Sequence, residues 1–135
     1  MITIYTDASC IIPLGISGWA AVIFYSDGRI EELCGSERCG MINRMELIAV
    51  IKALSSLEPQ TQATIYTDSQ YVMRGSEQFK KPDSNANLWE QFNTLKTTRM
   101  VHLKWVQSHN GDPGNGLADK LARKAARRLQ RASGY

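Results

Sequence analysis

Disulfide chemistry is the first thing this sequence is short of. It has three cysteines, Cys10, Cys34 and Cys39, an odd number with no CxxC pair. That argues against a secreted disulfide framework and for reduced thiols in a cytoplasm. Long apolar runs are missing too. The longest, Trp19 to Tyr25, falls far short of the roughly 20 residues a bilayer-spanning helix needs, so no membrane segment is expected. The opening residues, Met1 to Asp7, carry no basic leader and reach an acid early, which argues against a signal peptide. Ten glycines and four prolines among 135 residues are too few for a collagen-like or disordered chain, and no repeat or linker is visible. An excess of one charge is also lacking. Sixteen basic against 13 acidic residues leave a formal +3, which permits contact with phosphate without demanding it. What is present is 43% hydrophobic and 21% charged. That is globular composition at the length of a single domain, 1–135, able to bury a core without staples.

The hydrophobic pattern predicts five strands and four helices. Ile2 to Asp7 alternates as a strand. Trp19 to Tyr25 is a second, ended by the turn signal Ser26-Asp27-Gly28, and Arg29 to Gly35 returns as a third. Hairpin connections make these three antiparallel. Arg44 to Leu57 has Leu47, Ile48, Ile51 and Leu54 at helical spacing, with Pro59 beyond its end. Ala63 to Thr67 is a strand reached through a helix and hence parallel to the first. Ser69 to Arg74 is a short helix with Gly75 as its C-cap. After a polar break from Lys80 to Asn87, the residues Leu88, Trp89, Phe92 and Leu95 form a helical stripe. Val101, Leu103 and Trp105 alternate as a fifth strand, Ser108 to Asn115 is a loop, and Gly116 to Arg131 is a helix with Leu117, Leu121, Ala125 and Leu129 along one side. Trp19, Trp89 and Trp105 fall on apolar faces and read as core. The order βββαβααβα implies an α/β fold with a mixed five-stranded sheet flanked by helices.

In this layout Asp7 ends the first strand and Asp68 the fourth, which runs beside it in the same direction. Acids on adjacent parallel strands project into one crevice at the carboxyl edge, where they repel unless a cation lies between them. Oxygen ligands of this kind suit Mg²⁺ or Mn²⁺. A lone strand-end aspartate is more often a turn residue, and Glu46, in the expected first turn of the buried helix, could equally complement the helix dipole.

Four segments carry a resemblance. Tyr5-Thr6-Asp7-Ala8-Ser9-Cys10, Asn43-Arg44-Met45-Glu46-Leu47, Thr67-Asp68-Ser69-Gln70-Tyr71-Val72, and Trp105-Val106 with Ser108-His109 through Asp119 to Leu121-Ala122 resemble type 1 ribonuclease H in order and spacing. The resemblance covers nearly the whole chain. It implies a catalytic centre of four carboxylates, Asp7, Glu46, Asp68 and Asp119, holding two Mg²⁺ ions, with Mn²⁺ as a substitute. It implies endonucleolytic hydrolysis of the RNA strand of an RNA–DNA hybrid, leaving 5′-phosphate and 3′-hydroxyl ends. His109 matches a histidine that assists water positioning or product release. Ser9, Asn43 and Gln70 match residues that bond RNA sugars or minor-groove base edges; Asn43 could also be the N-cap of its helix. A monomer is expected.

The chain departs from the family pattern at Ile11 to Gly18, at Met41 and Ile42 before Asn43, at Gly116, and at Lys80-Lys81-Pro82, which stands in place of a longer basic protrusion. Lys80, Lys81, Arg123, Lys124, Arg127, Arg128 and Arg131 are candidates for replacing lost phosphate contacts; those on the last helix read more readily as a solvated C-terminal face. The alternatives are a non-catalytic hybrid-binding module, a retroelement-type ribonuclease H domain or junction resolvase of the same architecture, and a structural domain whose acids are ordinary caps. Intact acids argue against a pure binder, which gains nothing from converging negative charge beside a phosphate.

Overall fold

The computed structural model describes residues 1–38, 40–77, 84–107 and 112–134. Cys39, Lys80, Lys81, Ser108 and His109 lie outside the described residues. Strand β1 (Ile2–Ile11) pairs antiparallel with β2 (Ile16–Phe24), and β2 pairs antiparallel with β3 (Ile30–Glu37). β1 is thus longer than the Ile2 to Asp7 strand expected. Ala8, Ser9, Cys10 and Ile11 each have a partner on β2, ending with Ile11 opposite Ile16, so ladder pairing carries the pleat past the acid. The chain reverses at a 3-10 turn, Ile12–Leu14, where Gly15 takes a left-handed φ of 62° that favours glycine. Asp7 therefore sits mid-strand.

Helix α1 (Ile42–Ser56) begins two residues before the expected start. Met41 occupies the N-cap position without a side-chain cap bond, so Asn43 lies inside the first turn and is not the cap. The same shift takes Glu46 out of the first turn. β4 (Gln62–Thr67) pairs parallel with β1 on one side and with β5 (Met100–Trp105) on the other, giving the sheet order β3-β2-β1-β4-β5. Helices α2 (Gln70–Glu77) and α3 (Ala86–Lys96) lie between β4 and β5 in the chain. Gly75 is inside α2 rather than at its C-cap. A Cβ there would run into the Trp89 ring, so glycine lets the helix backbone lie against the indole, whose N–H donates to Tyr71 Oη at 2.9 Å.

The core lies between the sheet and α1, with Ile4, Ile23 and Ile65 of the strands against Leu47, Val50 and Leu54 of α1 and Phe92 of α3. The opposite face is covered by α4 (Pro113–Ala132). Its first turn is held by Asp112, whose carboxylate accepts from the Gly114 and Asn115 N–H groups at 2.9 and 3.3 Å, an N-cap that starts the helix three residues before the expected Gly116. The buried face of α4 is Ala118, Ala122, Ala125 and Ala126, whereas Leu117, Leu121 and Leu129 are only half-buried. The reason is close approach: a Cβ on Gly18 of β2 would overlap the backbone of Ala122 and Ala126, leaving room for methyl groups alone. Trp19 and Trp89 are core residues as expected, but Trp105 is 46% exposed. It sits on β5, the edge of the sheet, where its indole N–H donates to the Asp68 carbonyl at 3.3 Å. Among the described residues, no helix is long and apolar enough to cross a membrane.

Candidate active site

Register builds the centre of the site. The β1–β4 ladder runs from Ile2 beside Ala63 to Tyr5 beside Tyr66; Asp7 lies two residues past its end on β1 and Asp68 directly follows β4, so the strand pair aims both acids at one place. Tyr5 shares a sheet face with Asp7 and packs under Gly114, where a Cβ would strike its ring, so that face is the one α4 covers. Glu46 enters from the second turn of α1. One carboxylate oxygen from each of Asp7, Glu46 and Asp68 lies within 4.8 Å of the others. Asp7 is 5% exposed and Glu46 8%.

Burying acids this close is electrostatically costly. Burial, and then the charge of Asp68, pushes the Asp7 carboxyl up to about 8, against a partial opposing effect from the Ala8 backbone N–H. Burial, followed by the charges of Asp7 and Asp68, holds Glu46 well above the usual carboxylate range. Glu46 Oε1 is buried without a hydrogen-bond partner. A hard divalent cation answers both features, since it offsets the converging charge and accepts the orphaned oxygen as a ligand; an all-carboxylate donor set selects such ions over soft metals.

The three acids open into a pocket of about 550 Å³ whose wall also includes Ser9, Asp119, Arg123 and Arg127. Asp119 stands outside the tight cluster of three. Its Oδ1 accepts from Arg123 Nε at 3.2 Å, and its charge is among those that raise Asp7. It is the seventh residue of α4, beyond the reach of a first-turn role. Of the other expected site residues, Ser9 lines the pocket, while Asn43 and Gln70 are exposed and line no part of it. Arg123 and Arg127 were expected as candidate phosphate contacts within a basic face, without a place in the site; their spacing of four and eight residues from Asp119 was the signal that ties them to it.

Fold and site together define a class: an α/β protein with an all-carboxylate centre for a divalent cation at the heart of a mixed sheet. The RNase H family matches residues 1–127. Among curated relatives, the ribonuclease H of Francisella philomiragia is 39% identical, over 93% of this chain and 90% of its own. That of Rhizobium johnstonii is 40% identical, over 91% and 89%, and the ribonuclease HI of Pseudomonas aeruginosa is 38% identical, over 96% of each. The N-terminal RNase H domain of a Mycobacterium tuberculosis protein, solved as a fusion with maltose-binding protein, superposes with a TM-score of 0.82 over 98% of both chains at 22% identity. A type 1 RNase H carrying the type 2 active-site motif gives 0.80 over 94% of this chain and 72% of its own, at 24% identity. The chain belongs to the RNase H family.

Proposed function

We propose that this protein is an endoribonuclease that hydrolyses the RNA strand of RNA–DNA hybrids, with residues 1–135 as one catalytic domain acting as a cytoplasmic monomer. The observation that carries the reading is the mutual approach of Asp7, Glu46 and Asp68 within 4.8 Å in a chain of this family. Asp7 and Asp68 hold the cations most directly, and Glu46 and Asp119 complete the two shells around a pair of Mg²⁺ ions, for which Mn²⁺ substitutes. Divalent cations there supply the charge that makes a water acidic enough to attack phosphorus and that offsets the charge growing on the leaving 3′ oxygen. Cleavage leaves 5′-phosphate and 3′-hydroxyl ends. The protein's own part is to aim the carboxylates and to seat the scissile phosphate over them. Ser9, Asn43 and Gln70 bond the RNA sugars or minor-groove edges, where the 2′-hydroxyl distinguishes RNA from DNA. Glu46 also senses that hydroxyl. His109 assists proton traffic or product release, roles open to an imidazole side chain.

The test is digestion of an end-labelled hybrid in Mg²⁺ and then Mn²⁺, beside duplex RNA, duplex DNA, four-way junction DNA and single strands. Cation-dependent cutting confined to the RNA of the hybrid, and abolished by Asp68→Asn, is expected. No cutting by the wild-type protein in either cation, or cutting that survives Asp68→Asn, overturns the reading.

A further inference from the structure

The pocket that gathers the acids has two cations in its wall, Arg123 and Arg127, and the carboxylate chemistry gives neither a task. Asp119, Arg123 and Arg127 follow at four-residue spacing on α4, so they share one helix face at steps of about 6 Å. Arg123 bonds Asp119 through Nε and is 48% exposed. That bond uses one of the five N–H donors of a guanidinium. Arg127 is exposed, and among the described residues it has no ion-pair partner. The helix dipole does not account for the pair. Its pull on cations fades within the last turn, which here holds Arg131. Lys124, Arg128 and Arg131 line no part of the pocket.

We propose that Arg123 and Arg127 form a phosphate track that holds two successive phosphates of the cleaved strand beside the scissile one. The inference rests on the hybrid-nuclease reading above. The helical step of about 6 Å between the two residues is comparable to the distance between consecutive phosphates along one strand, and each guanidinium fork matches a phosphate bidentately. The track begins at Asp119, at the edge of the carboxylate cluster, and leads away from it along α4. A phosphate strand passing over acids is repelled except where cations or arginines offset them, so the track also sets which way the strand leaves the site.

The test measures binding of a fluorescent hybrid by anisotropy across a salt series in Mg²⁺. An Asp68→Asn background keeps the hybrid bound without cutting. Adding Arg127→Ala is expected to weaken binding about three- to tenfold at low salt and to flatten the plot of log K against log salt by about 0.7–0.9 for the one lost phosphate. Arg127→Lys keeps the slope, and Arg123→Ala with Arg127→Ala flattens it about twice as far. Arg128→Ala, outside the pocket, changes neither quantity. An unchanged slope for Arg127→Ala, or an equal loss for Arg128→Ala, overturns the track. Cleavage by the wild-type protein is assayed alongside. If the wild type cuts the hybrid and the slopes do not move, the track alone fails; if it does not cut, the nuclease reading fails and the track with it.

Discussion

Asp7 and Asp68 each lie two residues beyond the last parallel pair of β1 and β4, Tyr5 beside Tyr66, and one carboxylate oxygen of each comes within 4.8 Å of the other. Neighbouring strands lie about 4.8 Å apart, so like charges at this position meet at close range with little water between them. Burial, and then the charge of Asp68, pushes the Asp7 carboxyl up to about 8. The fold brings these acids together at a cost to itself, and the cost is removed when cations occupy the site.

The metal-free protein should therefore lose stability as pH rises. Asp7 goes from an ordinary value of 3.8 to about 8 on folding, so the folded state holds a proton that the unfolded chain has released. Stability from this group is full below about pH 4 and is lost as pH climbs towards 8, and Glu46, raised by burial, acts in the same direction. In EDTA, denaturant melts of the wild type at pH 5.5 and 8.5 should differ by about 2–5 kcal/mol in favour of the lower pH. Asp7→Asn should shrink that difference and be the more stable protein at pH 8.5.

Cations should reverse the trend. Mn²⁺ at about 100 times its Kd stabilises a one-site protein by about 2.7 kcal/mol, and thermal melting at pH 8 should show the rise for the wild type. Asp7→Asn and Glu46→Gln should show little of it, because each removes a ligand oxygen from the cluster. Equal stabilisation of all three proteins would mean that the ions bind elsewhere.

The position of α4, and with it Asp119, depends on Gly18. A methyl group there meets the backbone of Ala122 and Ala126, and neither can yield as a flexible side-chain end would. Gly18→Ala should cost about 1–3 kcal/mol and, by lifting the helix, should reduce cleavage as well as melting temperature. A contrasting variant is Arg99→Ala. Arg99 donates to the Leu57 carbonyl from Nε at 3.1 Å and Nη2 at 2.7 Å, and to the Leu95 carbonyl at 3.3 Å. Its loss should cost about 1–3 kcal/mol with cleavage intact at a temperature where the protein is folded.

Much of this architecture was legible in the sequence, and the exceptions have physical causes. Alternation at Ile2 and Ile4 and helical spacing from Leu47 to Leu54 mark β1 and α1, since side-chain period reports the buried face directly. The end of β1 was not legible: Ala8 to Ile11 stay in the strand because β2 pairs with them, a relation between distant residues. The small-residue face of α4 was masked by its leucines, because what selects alanine there is the nearness of Gly18 on another element. Trp105 read as core because strand order, which puts β5 at the edge, is absent from local pattern. Within the site, strand direction pointed Asp7 and Asp68 at one crevice, but a strand-end aspartate is ordinarily a turn residue, and the family resemblance was needed to give them a task. Glu46 and Asp119 needed the family resemblance, since an acid on a helix has ordinary uses.

The most direct test of the account is a crystal of the protein soaked in Mn²⁺ and measured for anomalous scattering. The account predicts density among the side chains of Asp7, Glu46 and Asp68, at oxygen distances of about 2.0–2.6 Å, with Asp119 beside it. A well-occupied Mn²⁺ found only at other places, with these carboxylates left unliganded, would contradict it.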